Sequence, residues 1–213
     1  MTLFRRAMVL VFALSAFVAA CGDDDAATTT TPTTSAPTTT VASTTTTSTV
    51  PATTSTTTPE TDLGSFIRYE SGEYRFQISY PEDWEIDSDS AGIAVQLFSP
   101  TPADDDFSEN VNVIVEELLE PITLDDYVAL ALEQVEELFP EFQLFDEFSS
   151  TLGGLPAWTV AYTGEIDGVV YGVVQTITIH EDRAFVVTYT GTTEFDRYLP
   201  HSDAIFNSIS FGE

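Results

Sequence analysis

From Asp62 to the end of the chain, the sequence predicts a single α+β domain built around an antiparallel β-sheet. Residues 74–80 alternate apolar and polar side chains, which is the period of a strand with one buried face. Residues 123–139 instead place their apolar side chains at helical spacing. Three further strand patterns follow one another over residues 157–191, as is typical of an antiparallel meander. About 150 residues are enough to bury a core of this size.

The first part of the domain is expected to be a β-hairpin followed by two more strands. Residues 66–69 and 74–80 flank Ser71-Gly72, a plausible hairpin turn. The segment 81–84, Pro-Glu-Asp-Trp, ends the second strand and places an indole at a turn. The next two strands are predicted at residues 92–98 and 111–117, with a polar loop over residues 99–110 between them.

A helix is predicted to begin after Thr123 and to end before Pro140. Thr123 suits the N-cap, and Asp126 three residues later matches a capping box in which Asp replaces the commoner Glu. Asp125 and Asp126 also suit the positive end of the helix dipole. The apolar side chains fall on one face, which we expect to be buried: Leu124, Tyr127, Val128, Ala131, Val135, Leu138 and Phe139.

The second half of the domain is predicted to be mostly strands, at residues 142–151, 157–165, 169–180 and 183–191. Gly153-Gly154 is expected to form a turn, and Asp167-Gly168 is a strong signal for a type I′ hairpin because both positions tolerate positive φ. Residues 169–174 are apolar on both faces, so we expect both sides of the sheet to be covered there.

The end of the chain predicts one more helix and a final strand. Pro200 suits the first position of a helix, where its missing N–H costs nothing. The apolar residues of this helix are Ala204, Ile205 and Phe206. Residues 208–211 are then expected to close the domain as a last strand.

The order of strand ends, turns and helix is itself distinctive. It runs through residues 76–84 (FQISYPEDW), 98–100 (FSP), 111–113 (VNV), 123–127 (TLDDY), 154–157 (GLPA) and 205–211 (IFNSISF). From about residue 66 to 211 the chain therefore resembles the PsbP-like superfamily, especially the LpqN-type lipoproteins of actinobacteria. The resemblance implies an antiparallel sheet of about six to seven strands with helices on both faces, a PsbP-like α/β/α sandwich. It also implies a non-enzymatic accessory or binding role and supplies no catalytic motif.

Residues 1–21 have the three parts of a secretory signal peptide. Arg5 and Arg6 form a basic head, an apolar run follows, and two small residues precede Cys21. Residues 18–21 (VAAC) resemble the bacterial lipobox, which implies cleavage between Ala20 and Cys21 and a diacylglycerol on the thiol. Since two acyl chains hold a protein on a bilayer better than one, we expect an anchor on the extracytoplasmic face of the cell membrane. An ordinary signal peptide with an incidental cysteine, or an uncleaved apolar helix, would explain the same residues without a lipid.

Residues 22–61 are expected to be a disordered linker between the signal peptide (1–21) and the folded domain (62–213). After a short acidic cluster they consist almost entirely of Thr, Ser, Pro and Ala, with too little apolar surface to fold. This composition is typical of an O-glycosylated stalk, and a plain tether without sugars fits it as well. Such a linker would reach about 30–35 Å as a flexible coil and roughly 100 Å as polyproline II.

The charge of the chain excludes one class of partner. The chain has thirty-five Asp and Glu residues, six arginines and no lysine, so its formal net charge is −29. Such a surface repels nucleic acid and anionic lipid headgroups, so nucleic-acid binding is excluded. The acids are dispersed, which favours solubility as their role over capture of a cation or a basic partner. With Cys21 acylated, no thiol remains for a disulfide or a metal.

No hydrolase, metalloprotease, phosphate-binding or dithiol motif is present, so we expect no catalytic residues and no cofactor. His180 and His201 are the only imidazoles, and both are expected at solvated positions. A serine hydrolase would need a hydroxyl beside one of them and an orienting carboxylate. A shared metal site would need the two histidines close in space.

Two acidic segments are weak candidates for a metal site. Residues 87–92 open like a calcium loop, but Ala91 and Phe98 stand where oxygen ligands are needed, so a polar turn is expected. Asp104, Asp105 and Asp106, with Glu109 nearby, form either a solvated loop or a weak site for a hard cation.

Four aromatic residues near strand ends could line a ligand groove or belong to the core: Tyr80, Trp84, Trp158 and Tyr162. Taken together, the sequence predicts a membrane-anchored lipoprotein whose non-catalytic domain contacts another envelope or secreted protein. A lipoprotein that binds a small ligand or a divalent cation is the alternative, and a cell-envelope hydrolase is the less favoured third.

Overall fold

The structure is a computed structural model that describes residues 62–101, 107–139, 141–192 and 194–212. The elements of this part, in chain order, are β1 (Phe66–Ser71), β2 (Phe76–Pro81), β3 (Glu85–Asp87), β4 (Val95–Phe98), β5 (Asn110–Glu117), α1 (Leu124–Leu138), β6 (Gln143–Leu152), β7 (Leu155–Ile166), β8 (Val169–His180), β9 (Arg183–Gly191), α2 (Phe195–Ser208) and β10 (Ser210–Phe211).

The strands form two antiparallel sheets. Seven of them make the large sheet, in the order β3-β4-β5-β9-β8-β7-β6, with β9 at its centre. The other three make a small sheet in the order β1-β2-β10. The large sheet confirms the expected antiparallel sheet of six to seven strands, and the small sheet is an addition to it.

The two helices pack against opposite faces of the large sheet. Alternate residues of β9 point to opposite sides, as in any strand. Phe185 belongs to the same buried cluster as Ile205 of α2, which also contains the β2 residue Phe76. Val186, one position along β9, belongs instead to the cluster that contains Tyr127 of α1. The α+β fold with helices on both faces of the sheet is therefore confirmed.

Helix α1 begins and packs as its sequence predicts. The Thr123 Oγ1 accepts a hydrogen bond from the Asp126 backbone N–H at 3.1 Å, which satisfies one of the free N–H groups of the first turn. Tyr127, Val128, Ala131 and Val135 are buried, and so is Phe139 just after the helix. Leu138 departs from the prediction because its side chain is 47% exposed.

Helix α2 begins five residues earlier than predicted. It starts at Phe195, and Pro200 lies inside it rather than at its first turn. A proline at this depth removes one backbone hydrogen bond, which is why the sequence predicted that the helix begins near Pro200. Burial of Tyr198 and Ile205 on one face of the helix favours the longer helix.

The start of β8 was expected to be buried on both faces, but the strand that is buried in this way is β9. Val169 and Val170 are 43% and 56% exposed, at the tip of the β7–β8 hairpin. The residues of β9 from Ala184 to Gly191 are all buried. The prediction that both faces are covered over residues 169–174 is therefore wrong for Val169 and Val170, whereas the four residues after them are buried or half-buried.

Two smaller differences concern the segment between β2 and β5. The short strand β3 at Glu85–Asp87 was not predicted, and the strand expected at residues 92–98 begins only at Val95.

The predicted hairpin turn at Asp167 and Gly168 is confirmed, with φ angles of 53° and 82°. Among the helices of the described residues, neither is long and apolar enough to span a membrane.

Candidate functional site

The four aromatic residues proposed for a groove lie on opposite sides of the large sheet. Tyr80 and Trp84 are buried in the cluster on the α2 side. Trp158 packs against the cluster on the α1 side, and the Tyr162 ring lies 6.2 Å from that of Phe139 at the end of α1. Burial raises the pKa of the Tyr162 hydroxyl well above its ordinary value. Three of these residues are buried and Trp158 is half-buried, and they do not line a common groove.

The two histidines lie at opposite ends of the small sheet. The His180 ring lies 5.1 Å from that of Phe211, which pairs with Phe76 at the start of β2. The His201 ring is stacked on Trp84, just after the end of β2, with ring centroids 6.3 Å apart. A metal site or catalytic site that shares both imidazoles is therefore ruled out by their placement.

His201 forms part of a shallow cleft of about 470 Å³. The cleft is lined by Asp62, Leu63, Gly64, Ser65, Glu82, Asp83 and His201. Burial lowers the pKa of His201, and the nearby Asp83 carboxylate opposes that shift only partly. Ser65 shares the cleft, but within the described ranges no hydrogen bond joins a serine hydroxyl to the His201 ring.

The loop at residues 87–92 is a closed polar turn. The Asp87 Oδ1 accepts from the Asp89 backbone N–H at 2.8 Å, and its Oδ2 accepts from the Ser90 hydroxyl at 2.8 Å. The hydrogen bond from the Asp89 backbone is the main reason why the pKa of Asp87 is lowered. The carboxylate is thus already satisfied by its own loop, as expected of a turn rather than a calcium site.

The other candidate ligands are placed as follows. Asp104, Asp105 and Asp106 lie outside the described residues, as do Ala20 and Cys21. Glu109 is described and is fully buried, and its Oε1 accepts from the Thr192 backbone N–H at 3.2 Å. In the part of the chain that the structure covers, no group of three or more His, Cys, Asp or Glu residues is arranged to hold a metal ion.

The most exposed element of the sheet is its outer strand β6, which sequence reasoning did not single out. Nine of its ten residues are exposed or half-buried. Phe145 is 66% exposed and Phe148 is 48% exposed, so two large aromatic side chains face solvent on one strand. Single exposed apolar residues are ordinary, whereas a group of them marks a contact surface. The sequence contained one sign of this, the departure of residues 142–148 from strict alternation.

Comparison with known proteins agrees with the predicted resemblance. The family model described as "Probable lipoprotein LpqN" matches residues 65–210. A sequence search of curated proteins finds no match.

Three solved structures are similar in fold. PsbP (CyanoP) of Synechocystis sp. PCC 6803 superposes with a TM-score of 0.55 at 18% identity, over 70% of this chain and 94% of that one. LpqN of Mycobacterium tuberculosis, described as involved in cell envelope biogenesis, gives 0.56 at 18%, over 70% and 91%. The Ran-binding protein Mog1p of Saccharomyces cerevisiae gives 0.50 at 10%, over 70% and 96%.

At these identities the solved structures establish the fold alone, and none of their descriptions names a catalytic activity. The family model is the stronger finding because it spans more than half of the chain and almost the whole described domain. The protein belongs to the Lpp-LpqN family of lipoproteins.

Proposed function

We propose that the protein is an envelope lipoprotein, anchored through Cys21, whose folded domain acts by binding another envelope component. The family match over residues 65–210 is the observation that carries this proposal. It joins a lipoprotein domain to a chain whose N-terminus independently contains a lipobox-like segment at residues 18–21. The description of the mycobacterial LpqN structure, which names cell envelope biogenesis, supports the same compartment.

The arrangement of the described residues favours binding over catalysis. His180 packs on Phe211, and His201 is stacked on Trp84 with a lowered pKa, so each half-buried imidazole packs on an aromatic ring. Catalysis by a serine or a metal would need a nucleophile or a ligand set converging on one of them. The exposed aromatic side chains of β6 supply instead a surface of the kind that partners contact.

The anchor is tested by metabolic labelling with an alkyne-tagged fatty acid in cells that express the full chain. We expect the wild type to be labelled and found in the membrane fraction, and Cys21→Ser to be unlabelled, because Cys21 is the chain's one thiol. A processed but unlabelled wild type would identify an ordinary signal peptide and contradict the anchor. So would wild-type protein in the cytosol with its first twenty residues intact.

The binding role is tested by crosslinking in intact cells. The control keeps residues 1–61 and replaces the folded domain with an unrelated one, so it retains the anchor and the linker. We expect a reproducible partner with the wild type that is absent from the control. An identical set of crosslinked proteins in both samples would contradict a binding role of the domain.

A further inference from the structure

We propose that β6 is an acceptor edge, to which an extended, positively charged segment of another protein adds as an eighth strand of the large sheet. This inference rests on the proposed function only in placing that partner in the envelope. Strand addition uses backbone hydrogen bonds for affinity and alternate side chains for specificity. The geometry, the side chains and the charge of β6 each support it.

The geometry of the large sheet leaves one long edge open. Among the described residues, β6 pairs only with β7, so one side of its backbone has no strand beside it. It is ten residues long, whereas the strand at the other edge, β3, has three. A long edge strand offers a row of N–H and C=O groups on which another strand can form.

Only some of the usual devices that block such an edge are present. Proteins protect long edges with lysine and other charged side chains, proline, β-bulges or very short strands. Of these, β6 has the charges of Asp146 and Glu147 and one bulge. The chain contains no lysine, and β6 contains no proline or glycine. Its one irregularity is a register shift between Leu144 and Asp146, which leaves the bulged Phe145 66% exposed. The seven residues after this point pair with β7 in regular register up to the turn.

The exposed side chains of β6 combine aromatic surface with negative charge. Asp146 and Glu147 lie between Phe145 and Phe148, and all four are exposed. Residues 141–180, which include β6, β7 and β8, carry five acidic residues and no arginine or lysine. An added strand would therefore need cationic side chains opposite the two acids and apolar ones beside the phenylalanines.

The same charge argues against a second copy of this chain as the occupant. In a symmetric antiparallel pair, the middle of β6 would face the middle of β6, which brings Asp146 and Glu147 close to their own copies. Like charges directly opposite in a sheet are destabilising. The net charge of −29 adds repulsion between whole molecules. Charge complementarity therefore selects a basic partner.

The first test uses the full chain and a labelled peptide of about ten residues in which adjacent arginines at the centre are flanked by valines, in buffer of about 20 mM salt. We expect binding, together with slower hydrogen exchange at the backbone of β6. A peptide with glutamate in place of arginine should bind at least about tenfold more weakly. The arginine peptide N-methylated at alternate backbone positions keeps its charge and should also lose about tenfold, since it cannot form the ladder.

The second test compares two variants with the same change of charge. Asp146→Asn with Glu147→Gln should weaken binding of the arginine peptide about tenfold. Glu70→Gln with Glu73→Gln, in the small sheet and its turn, should change it less than about twofold. Equal binding of the N-methylated peptide, or equal loss in both variants, would show attraction to charge alone and overturn the proposal. A wild-type dimer that the arginine peptide does not dissociate would overturn it as well.

Failure of this inference is distinguishable from failure of the proposed function. A partner captured in intact cells but crosslinked away from residues 143–152 would overturn the acceptor edge and leave the binding role standing. Loss of lipid labelling would overturn the anchored lipoprotein, while the peptide measurements on the full chain would still decide the edge.

Discussion

The Tyr127 hydroxyl joins α1 to the sheet through one hydrogen bond. It donates to the Glu116 Oε2 at 2.7 Å. Burial raises the pKa of Glu116, and the hydrogen bond from Tyr127 lowers it in part. Tyr127→Phe should therefore raise the pKa of Glu116 further and reduce the free energy of unfolding by about 1–2 kcal/mol at pH 7, as measured by urea denaturation.

The matched control is Tyr69→Phe. The Tyr69 hydroxyl donates to the Ala94 carbonyl at 3.4 Å, which is near the limit of a hydrogen bond. Its loss should cost less than about 0.5 kcal/mol. An equal cost for both variants would mean that the bond to Glu116 contributes nothing beyond the general effect of removing a tyrosine hydroxyl.

His201 gives the protein a pH-dependent stability. Burial holds its pKa in the fold below the ordinary value of 6.5. The unfolded chain therefore binds a proton at a higher pH than the folded chain, so stability falls as the pH drops through 6.5 toward the lowered pKa. We expect urea denaturation between pH 8 and about 5.5, above the range of most carboxyl groups, to show this fall in the wild type.

His201→Gln removes the imidazole and should flatten that pH dependence. Because the stacking of the imidazole on Trp84 is lost, the variant should be less stable than the wild type at pH 8, and this difference should shrink as the pH falls toward 5.5. If His201→Gln shows the same loss between pH 7 and 5.5 as the wild type, another group is responsible for the pH dependence.

At the scale of elements, α2 packs close to β8 because Gly172 has no side chain. A Cβ on Gly172 would lie 2.7 Å from the Cδ2 of Phe195, in the first turn of α2. Gly172→Ala should push the helix away and cost about 1–3 kcal/mol, as overpacking does elsewhere. Thermal unfolding followed by circular dichroism measures the change.

The control for that substitution is Gly72→Ala in the β1–β2 turn. A Cβ there meets nothing within 4 Å. Its stability should stay within about 0.5 kcal/mol of the wild type. A loss at Gly72 as large as that at Gly172 would point to a general effect of replacing glycine rather than to contact with Phe195.

The elements that the sequence predicted well are those specified locally. The start of α1 follows from Thr123 and its period, and the β7–β8 hairpin follows from Asp167 and Gly168. The start of α2 was missed because Pro200 is locally unfavourable inside a helix, and packing of its apolar face outweighs that cost. Strand β3 has three residues, which is too short for any periodic signal.

The candidate site was less predictable because it depends on strand order. The sequence predicted a strand at residues 142–151, but nothing local states that it pairs on one side only. Likewise, Trp84 and Trp158 look alike as aromatic residues near strand ends, and only the fold places them on opposite faces of the sheet. Neighbours across a sheet are set by tertiary structure, which a single sequence does not reveal.

At the scale of the whole molecule, charge repulsion should limit stability. The net charge is −29, and each of the three ion pairs among the described residues has an exposed partner, so these pairs offset little of it. Raising NaCl from about 10 mM to about 500 mM shortens the screening length. We expect stabilisation by about 1 kcal/mol, or roughly 2–4 °C in Tm, measured by calorimetry.

The control for this salt effect is tetramethylammonium chloride at the same ionic strength. Screening depends on ionic strength, so both salts should raise the Tm by similar amounts. A much larger rise with millimolar CaCl2 than with either salt at matched ionic strength would contradict simple screening and would indicate a specific cation site.

Strand β1 is the first element of the fold after the chain enters at Asp62, and its partner strand is β2 alone, among the described residues. Six residue pairs, from Phe66 with Pro81 to Ser71 with Phe76, join the two. Any pulling force that arrives from the preceding chain is therefore borne first by these pairs. The large sheet receives this force through the chain that continues from β2 into β3 and through the side chains that pack between the two sheets. With a partner held on β6, the six β1–β2 pairs and the pairing on β6 would carry the same force in series, so the shorter β1–β2 pairing should separate first.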